Sequence, residues 1–171
     1  MQKVNRPQDK WRNIALAVVT LLIILADQLS KTWIRDNLFS GQKLYDAGFF
    51  QIINISNTGA AFGIFPGQAL ALTIISFIGA AVLLVFAFII YRRWPAFNSM
   101  WIKLAVALLL GGTIGNLIDR LRLGYVTDFI NFKIWPAFNV ADSAVTIGVI
   151  LIAYFVLRLA LAEKHQDEEN L

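Results

Sequence analysis

The chain has 171 residues, of which 58% are hydrophobic and 15% charged, and a net charge of +4. Its mean hydropathy is +0.64, which excludes an ordinary soluble domain and specifies an integral membrane protein in one domain, 1–171. There is no cysteine, the only histidine is His165, and every glutamate lies at or beyond Glu163; disulfides, thiol nucleophiles, Ser-His triads and histidine metal sites are thereby excluded from the apolar body.

Lys3, Arg6, Lys10 and Arg12 precede the first apolar segment, Ile14–Ala26, which extends through Asp27-Gln28-Leu29. No small-x-small cleavage motif follows, so the segment reads as a retained membrane helix near 12–30. Asp27 and Lys31 stand four residues apart in the favourable order; they read either as a snorkelling ion pair at a helix end or as part of a site. Residues 31–67 form a long outer loop punctuated by Gly41, Gly48, Gly59, Gly63 and Pro66. Within it Ile53 and Ile55 alternate with Asn54 and Ser56, which predicts a short half-buried strand. Asn57-Thr58-Gly59-Ala60-Ala61-Phe62 then fits a tight turn.

A second helix is expected near 68–91 and a third near 100–119, joined by a loop with Arg92 and Arg93. On the third, Gly111 and Gly115 make a close-packing face. Asn116 follows Gly112 by four residues and Asp119 follows Gly115 by four, so polar groups share that face; an interfacial Asp119–Arg120 charge pair is the plainer reading of Asp119. The loop 120–138 contains an alternating stretch at 124–133, with Val126, Asp128, Ile130 and Phe132 on one face of a second strand. The fourth helix, near 139–161, opens with Asn139 as N-cap and Asp142 at the third position, a capping-box spacing. The tail 163–171 is polar and expected to be disordered. The fold class is mainly α: a membrane four-helix bundle with a small extracytoplasmic β-sheet. Basic residues are commoner at the termini and the inner loop, which puts both termini in the cytoplasm. They are dispersed as topology signals, not as a nucleic-acid surface.

Two carboxylates call for an explanation. Asp142 begins a membrane helix, where an aspartate costs about 2.5–3.5 kcal/mol at mid-bilayer and less near the surface. Asp128 lies in an apolar strand, which disfavours aspartate. Paired carboxylates can share a proton, leaving one acidic and the other basic.

Taken together, Asp27-Gln28-x-Ser30-Lys31, Asn57-Thr58-Gly59-Ala60-Ala61-Phe62, Gly112-x-x-Gly115-Asn116-x-x-Asp119-Arg120, Val126-x-Asp128-Phe129 and Phe138-Asn139-x-Ala141-Asp142 resemble the type II signal peptidases, the lipoprotein signal peptidase family. The resemblance covers most of residues 27–146 and follows the family's order. It implies an intramembrane aspartic endopeptidase of the bacterial cytoplasmic membrane that removes signal peptides from prolipoproteins, cutting just before a diacylglyceryl-modified cysteine. The family's catalytic aspartates match Asp128 and Asp142; its supporting residues match Asn57, Gly59, Asn116, Asp119, Arg120, Asn139, Asp27 and Lys31. No metal or organic cofactor is implied. The expected partners are prolipoprotein and membrane lipid, the active site is expected at the extracytoplasmic face, and the chain is expected to be a monomer. Thr127 stands where many members carry valine, a β-branched exchange given no weight.

Three rival readings use the same residues. An ion-coupled transporter would thread its polar groups across the bilayer and commonly shows repeats; here the polar groups gather at one face. Aspartate-rich membrane transferases use Asp-Gly in their metal motifs, and the chain has no Asp-Gly. A Ser30–Lys31 peptidase is awkward, because adjacent helical residues point about 100° apart.

Overall fold

The computed structural model describes residues 7–59, 68–93 and 99–169. Ala60, Ala61 and Phe62 of the expected turn, and Gly63 and Pro66 of the outer loop, lie outside them. The elements in chain order are α1 (Pro7–Asn37), β1 (Lys43–Asp46), β2 (Gln51–Asn57), α2 (Ala69–Arg93), α3 (Met100–Leu123), β3 (Val126–Asn131) and α4 (Val140–Glu169). Trp11–Asn37, Met100–Leu123 and Val140–Ala162 are long and apolar enough to cross a membrane, and the described apolar stretch of α2, Leu70–Val85, is shorter. The protein is a multi-pass membrane four-helix bundle carrying one three-stranded antiparallel sheet.

α3 is the most buried helix, and its sequence explains why. Gly111 lies against Ile23 and the Thr20 carbonyl of α1, whereas Gly112 lies against the Ala141 carbonyl and Val145 of α4; a Cβ at either would collide. Small residues thus let α3 approach both neighbours closely. Ile102, Val106 and Leu110 fill the space between, packed against Leu83 of α2 and Phe155 of α4. Lys103, just beyond the basic inner loop, is buried, with its Nζ donating to Asn13 Oδ1 on α1 at 2.8 Å. The outward faces of α1, α2 and α4 expose Leu21, Leu22, Phe77, Ile78, Ile150 and Leu157, the surface a lipid-facing bundle needs.

Several boundaries differ from the sequence expectation. α1 continues to Asn37, not 30, because Ile34 and Leu38 bury their side chains with Phe129 under the sheet. α3 runs to Leu123 and stops where Gly124 adopts the left-handed conformation, φ 77°. The tail expected to be disordered is helical through Glu169; Glu163, Lys164 and Gln166 are good helix formers and extend an established helix without a new nucleus.

The sheet order is β1-β2-β3. β2 and β3 are the two strands anticipated by alternation; β1 is additional, and all four of its residues are exposed. The β1–β2 connection is held by Asp46, which accepts from the Gly48 N–H, Gln51 Nε2, Lys43 Nζ and Lys133 Nζ. These contacts, the Gly48 amide first, hold its carboxyl well below the usual carboxylate range. The cluster of Ile34, Leu38 and Phe129, with Ile52, Ile130 and Val140, ties the sheet to the end of α1 and the start of α4. β3 is therefore fixed above the bundle at the point where α4 begins.

Candidate active site

Asp128 and Asp142 come from different elements and line one cavity of about 440 Å³. Asn57, Asn116 and Arg120 share its wall with Val126, Phe138 and Val145. The two carboxyls therefore share a chamber with an amide and guanidinium wall on one part and an apolar wall on the rest.

Three asparagines orient the carboxyls. Asn57 stands diagonally across the β2–β3 ladder from Asp128, and its Nδ2 donates to Asp128 Oδ2 at 2.9 Å. The Gly59 N–H donates to Asn57 Oδ1 at 2.9 Å, so the turn fixes the amide that holds Asp128. Asn139 Nδ2 donates to Asp128 Oδ1 at 2.7 Å, while Asn139 Oδ1 accepts from the Asp142 N–H at 2.9 Å. In return Asp142 Oδ2 accepts from the Asn139 N–H at 3.2 Å. The capping box at α4 is therefore real, and its acid is also a cavity residue. Asn116 Nδ2 donates to Asp142 Oδ1 at 2.8 Å.

Beneath the asparagines lies a buried ionic layer. Lys31 and Asp27 are fully buried and paired at 2.9 Å. The surface-pair reading of these two is overturned, because the extra turns of α1 carry them inward against α3. Lys31 Nζ also donates to Asn116 Oδ1 at 2.8 Å and lies 3.5 Å from Asp119 Oδ2. Asp27 Oδ1 accepts the Ala141 N–H at 2.9 Å, a cap on α4 supplied from another helix. Asp119 likewise does not pair with Arg120. It forms an ion pair with Lys31 and accepts from Arg35 Nη1 at 3.4 Å, from Gln28 Nε2 at 3.3 Å and from the Thr127 N–H at 3.0 Å. Adjacent helical residues diverge by about 100°, and Arg120 instead reaches Ser76 Oγ on α2 at 3.3 Å.

All ten residues singled out in the sequence belong to this connected region. Asp128, Asp142, Asn57, Asn116 and Arg120 line the cavity, and Asn139 and Gly59 bond to residues that do. Asp27, Lys31 and Asp119 lie one layer beneath. The sequence reading quoted Gln28 and Thr127 but gave them no site role, and it did not single out Arg35. A helix carried eight residues beyond Asp27 would have put Arg35 on the face of Asp27 and Lys31. Among the described residues no three Asp, Glu, His or Cys side chains gather as a metal site would require.

Burial, then the neighbouring Asp142 carboxylate, pushes the Asp128 carboxyl up to about 7, against the pull of Asn57, Asn139 and Lys31. A carboxyl that exchanges its proton near neutrality, beside a second carboxyl in the same chamber, can do acid and base work together.

The family model for signal peptidase (SPase) II matches residues 19–158. This chain belongs to the signal peptidase II family. A lipoprotein signal peptidase of Dehalococcoides mccartyi is 47% identical over 147 residues, covering 85% of this chain and 91% of the relative. One of Moorella thermoacetica is 40% identical over 141 residues, covering 82% and 91%. Two solved structures described as a bacterial membrane enzyme superpose with TM-scores of 0.75 and 0.72 at 31% and 32% identity. They cover 84% of this chain, and 88% and 92% of theirs. Signal peptidase II membership makes the protein a membrane peptidase, with the 440 Å³ cavity inside the matched region.

Proposed function

We propose that the protein is an aspartic endopeptidase that removes the signal peptide from diacylglyceryl-modified prolipoproteins, cutting just before the lipidated cysteine. The observation that carries this reading is the pair Asp128 and Asp142, held by Asn57, Asn116 and Asn139 in one chamber between sheet and bundle. Asp142 sits at the positive end of α4 and serves as base for the attacking water. Asp128, neutral up to about pH 7, donates to the scissile carbonyl. The tetrahedral intermediate then collapses as the leaving nitrogen takes a proton from the dyad. No metal or organic cofactor enters these steps.

The apolar wall of Val126, Phe138 and Val145 suits a lipid-bearing substrate. The site lies at the extracytoplasmic face of the bacterial cytoplasmic membrane, with both termini in the cytoplasm, and the enzyme works as a monomer. The connections flanking the sheet suit a membrane interface, since Phe39, Phe49, Ile134 and Trp135 are exposed and aromatic residues gather at such interfaces. The basic N-terminus and inner loop favour the cytoplasmic side for the termini.

Incubating the purified protein with a diacylglyceryl prolipoprotein and mapping the new N-terminus by mass spectrometry tests the reading. The expected product begins at the lipidated cysteine. An intact substrate, or a cut elsewhere, contradicts it.

A further inference from the structure

α3 and α4 run antiparallel, and small residues let them close on each other over the half nearest Asp142. Gly112 lies against the Ala141 carbonyl, and a Cβ on Gly148 would meet Leu109 Cγ at 2.8 Å and the Ala105 carbonyl at 2.9 Å. Beyond Gly148 the facing residues are large. Phe155 packs on Ile102, Val106 and Leu110, and beside it the crevice widens into a second cavity of about 560 Å³. That volume lies within the usual range of small-ligand sites, about 300–1,000 Å³. The dyad's cavity uses the end of α3 and the start of α4, with Asn116, Arg120 and Asp142. This one uses the start of α3 and the end of α4, with Trp101 and Arg158, and the two share no residue.

The wall of the second cavity is aromatic and aliphatic except for one charged group, Arg158. Arg158 is exposed, and no acidic residue lines the cavity. Among the described residues no carboxylate pairs with its guanidinium. It stands in the last turns of the membrane-spanning stretch Val140–Ala162, where long basic side chains reach the headgroup level. Trp101 and Tyr154 share the cavity with it and are exposed, as residues of that level commonly are. Leu151 lines the cavity seven residues deeper along α4, about 10 Å toward mid-membrane. A cation at the rim above an apolar trough matches the order of groups in a phospholipid. A guanidinium prefers phosphate, and a lipid without a compensating cation of its own gains most from it.

We propose that this cavity is a binding site for one anionic glycerophospholipid: the Arg158 guanidinium holds the phosphate, Trp101 and Tyr154 flank the glycerol, and an acyl chain lies along Leu151 and Phe155. With both termini cytoplasmic, the lipid belongs to the inner leaflet, where basic pockets between membrane helices take such headgroups. The site is separate from the cleavage chemistry. It differs from an aromatic belt, which settles at any lipid interface, in being saturable at one lipid per protein and selective for charge.

The test titrates the full-length protein, purified and delipidated in a neutral detergent, with phosphatidylglycerol or phosphatidylcholine of matched acyl chains and counts bound lipid by native mass spectrometry. One phosphatidylglycerol should bind per protein, with roughly tenfold or greater preference over phosphatidylcholine, since a hydrogen bond to a charged group is worth that much. Arg158→Gln should remove the preference and leave cleavage of a diacylglyceryl prolipoprotein unchanged. Leu151→Trp, which fills the trough and keeps the cation, should weaken both lipids. Arg122→Gln removes an exposed guanidinium outside both cavities and should bind phosphatidylglycerol as the wild type does. Equal binding of the two lipids, a preference that survives Arg158→Gln, or an equal loss in Arg122→Gln would each overturn the proposal. So would glycerol phosphate, which has no acyl chains, binding as tightly as phosphatidylglycerol, because the ligand would then be a free phosphate. If Leu151→Trp does not fold, the glycerol phosphate comparison tests the trough in its place, and Arg158→Gln tests the cation, since an exposed side chain is replaced.

Discussion

Replacing Lys31 with methionine keeps the side-chain length and removes the charge at the centre of the buried layer. Lys31 Nζ contacts Asn116 Oδ1 at 2.8 Å, Asp27 Oδ2 at 2.9 Å and Asp119 Oδ2 at 3.5 Å. Without it, Asp119 still has Arg35, and Asn116 Oδ1 still accepts from Asn139. Asp27 keeps its bonds from Gln28 and the Ala141 N–H but loses its ion pair while remaining fully buried. One uncompensated buried carboxylate costs about 3–5 kcal/mol, which lowers Tm by roughly 6–20 °C in a chain of this size. Thermal unfolding of the purified protein in detergent reads the shift. Adding Asp27→Asn to Lys31→Met should recover much of the loss, because the amide removes the charge and still accepts from Ala141. Lys43→Met, at the exposed Lys43–Asp46 pair, should leave Tm nearly unchanged. An equally small shift for Lys31→Met would refute the view that this layer is a buried and necessary ionic network.

Gly115→Ala should both destabilise and inactivate, because its Cβ would sit 2.6 Å from Asp27 Oδ2 and 3.3 Å from Ala141 Cβ. Overpacking of this kind costs about 1–3 kcal/mol, whereas Gly79→Ala, with nothing within 4 Å, should be neutral in stability and cleavage. The pH profile should follow Asp128, whose carboxyl is raised from 3.8 to about 7. Cleavage that needs its proton persists below that value and falls as pH rises through about 7, while a flat profile from pH 6 to 9 would contradict the assignment. Because the folded state holds this proton more tightly than the unfolded chain, its contribution to stability is full below pH 3.8 and is lost as pH rises through about 7. An unmodified precursor should be cut far more slowly than the diacylglyceryl form at matched membrane-bound concentration. Two acyl chains anchor a substrate where one is marginal, at about 0.8 kcal/mol per buried CH₂; equal rates would mean that the lipid is not read.

Composition and local pattern made much of the molecule legible. Long apolar runs specify membrane helices, and alternation around Ile53 and Ile130 marks the two strands that pair in the sheet. The spacing of Asn139 and Asp142 announces a cap that the structure contains. What was hidden depends on contacts between distant segments. The last turns of α1 carry Lys31 and Arg35 and look like loop, because their polarity is satisfied by α3 and β3. Asp119 stands beside Arg120 in sequence but turns to α1 and β3, and helix geometry alone could not choose that partner. Thr127 shows the limit most clearly. As a residue type it is an ordinary strand former, and only the fold brings Arg35 within hydrogen-bond distance of its hydroxyl. The exposed strand Lys43–Asp46 leaves no burial pattern to read at all.

The central claim is that Asp128 and Asp142 together perform the cleavage. Asp128→Asn and Asp142→Asn replace one carboxylate oxygen with an amide while preserving size. The decisive measurement is turnover of a diacylglyceryl prolipoprotein by each purified variant, with folding verified by an unchanged helical circular dichroism spectrum. Both variants should fold and bind substrate, and both should fall below wild-type turnover by at least about a thousandfold, since loss of one member of a catalytic unit costs nearly as much as loss of all. Turnover within about tenfold of wild type in either variant, a barrier change of only 1.4 kcal/mol or less, would contradict the two-carboxylate mechanism.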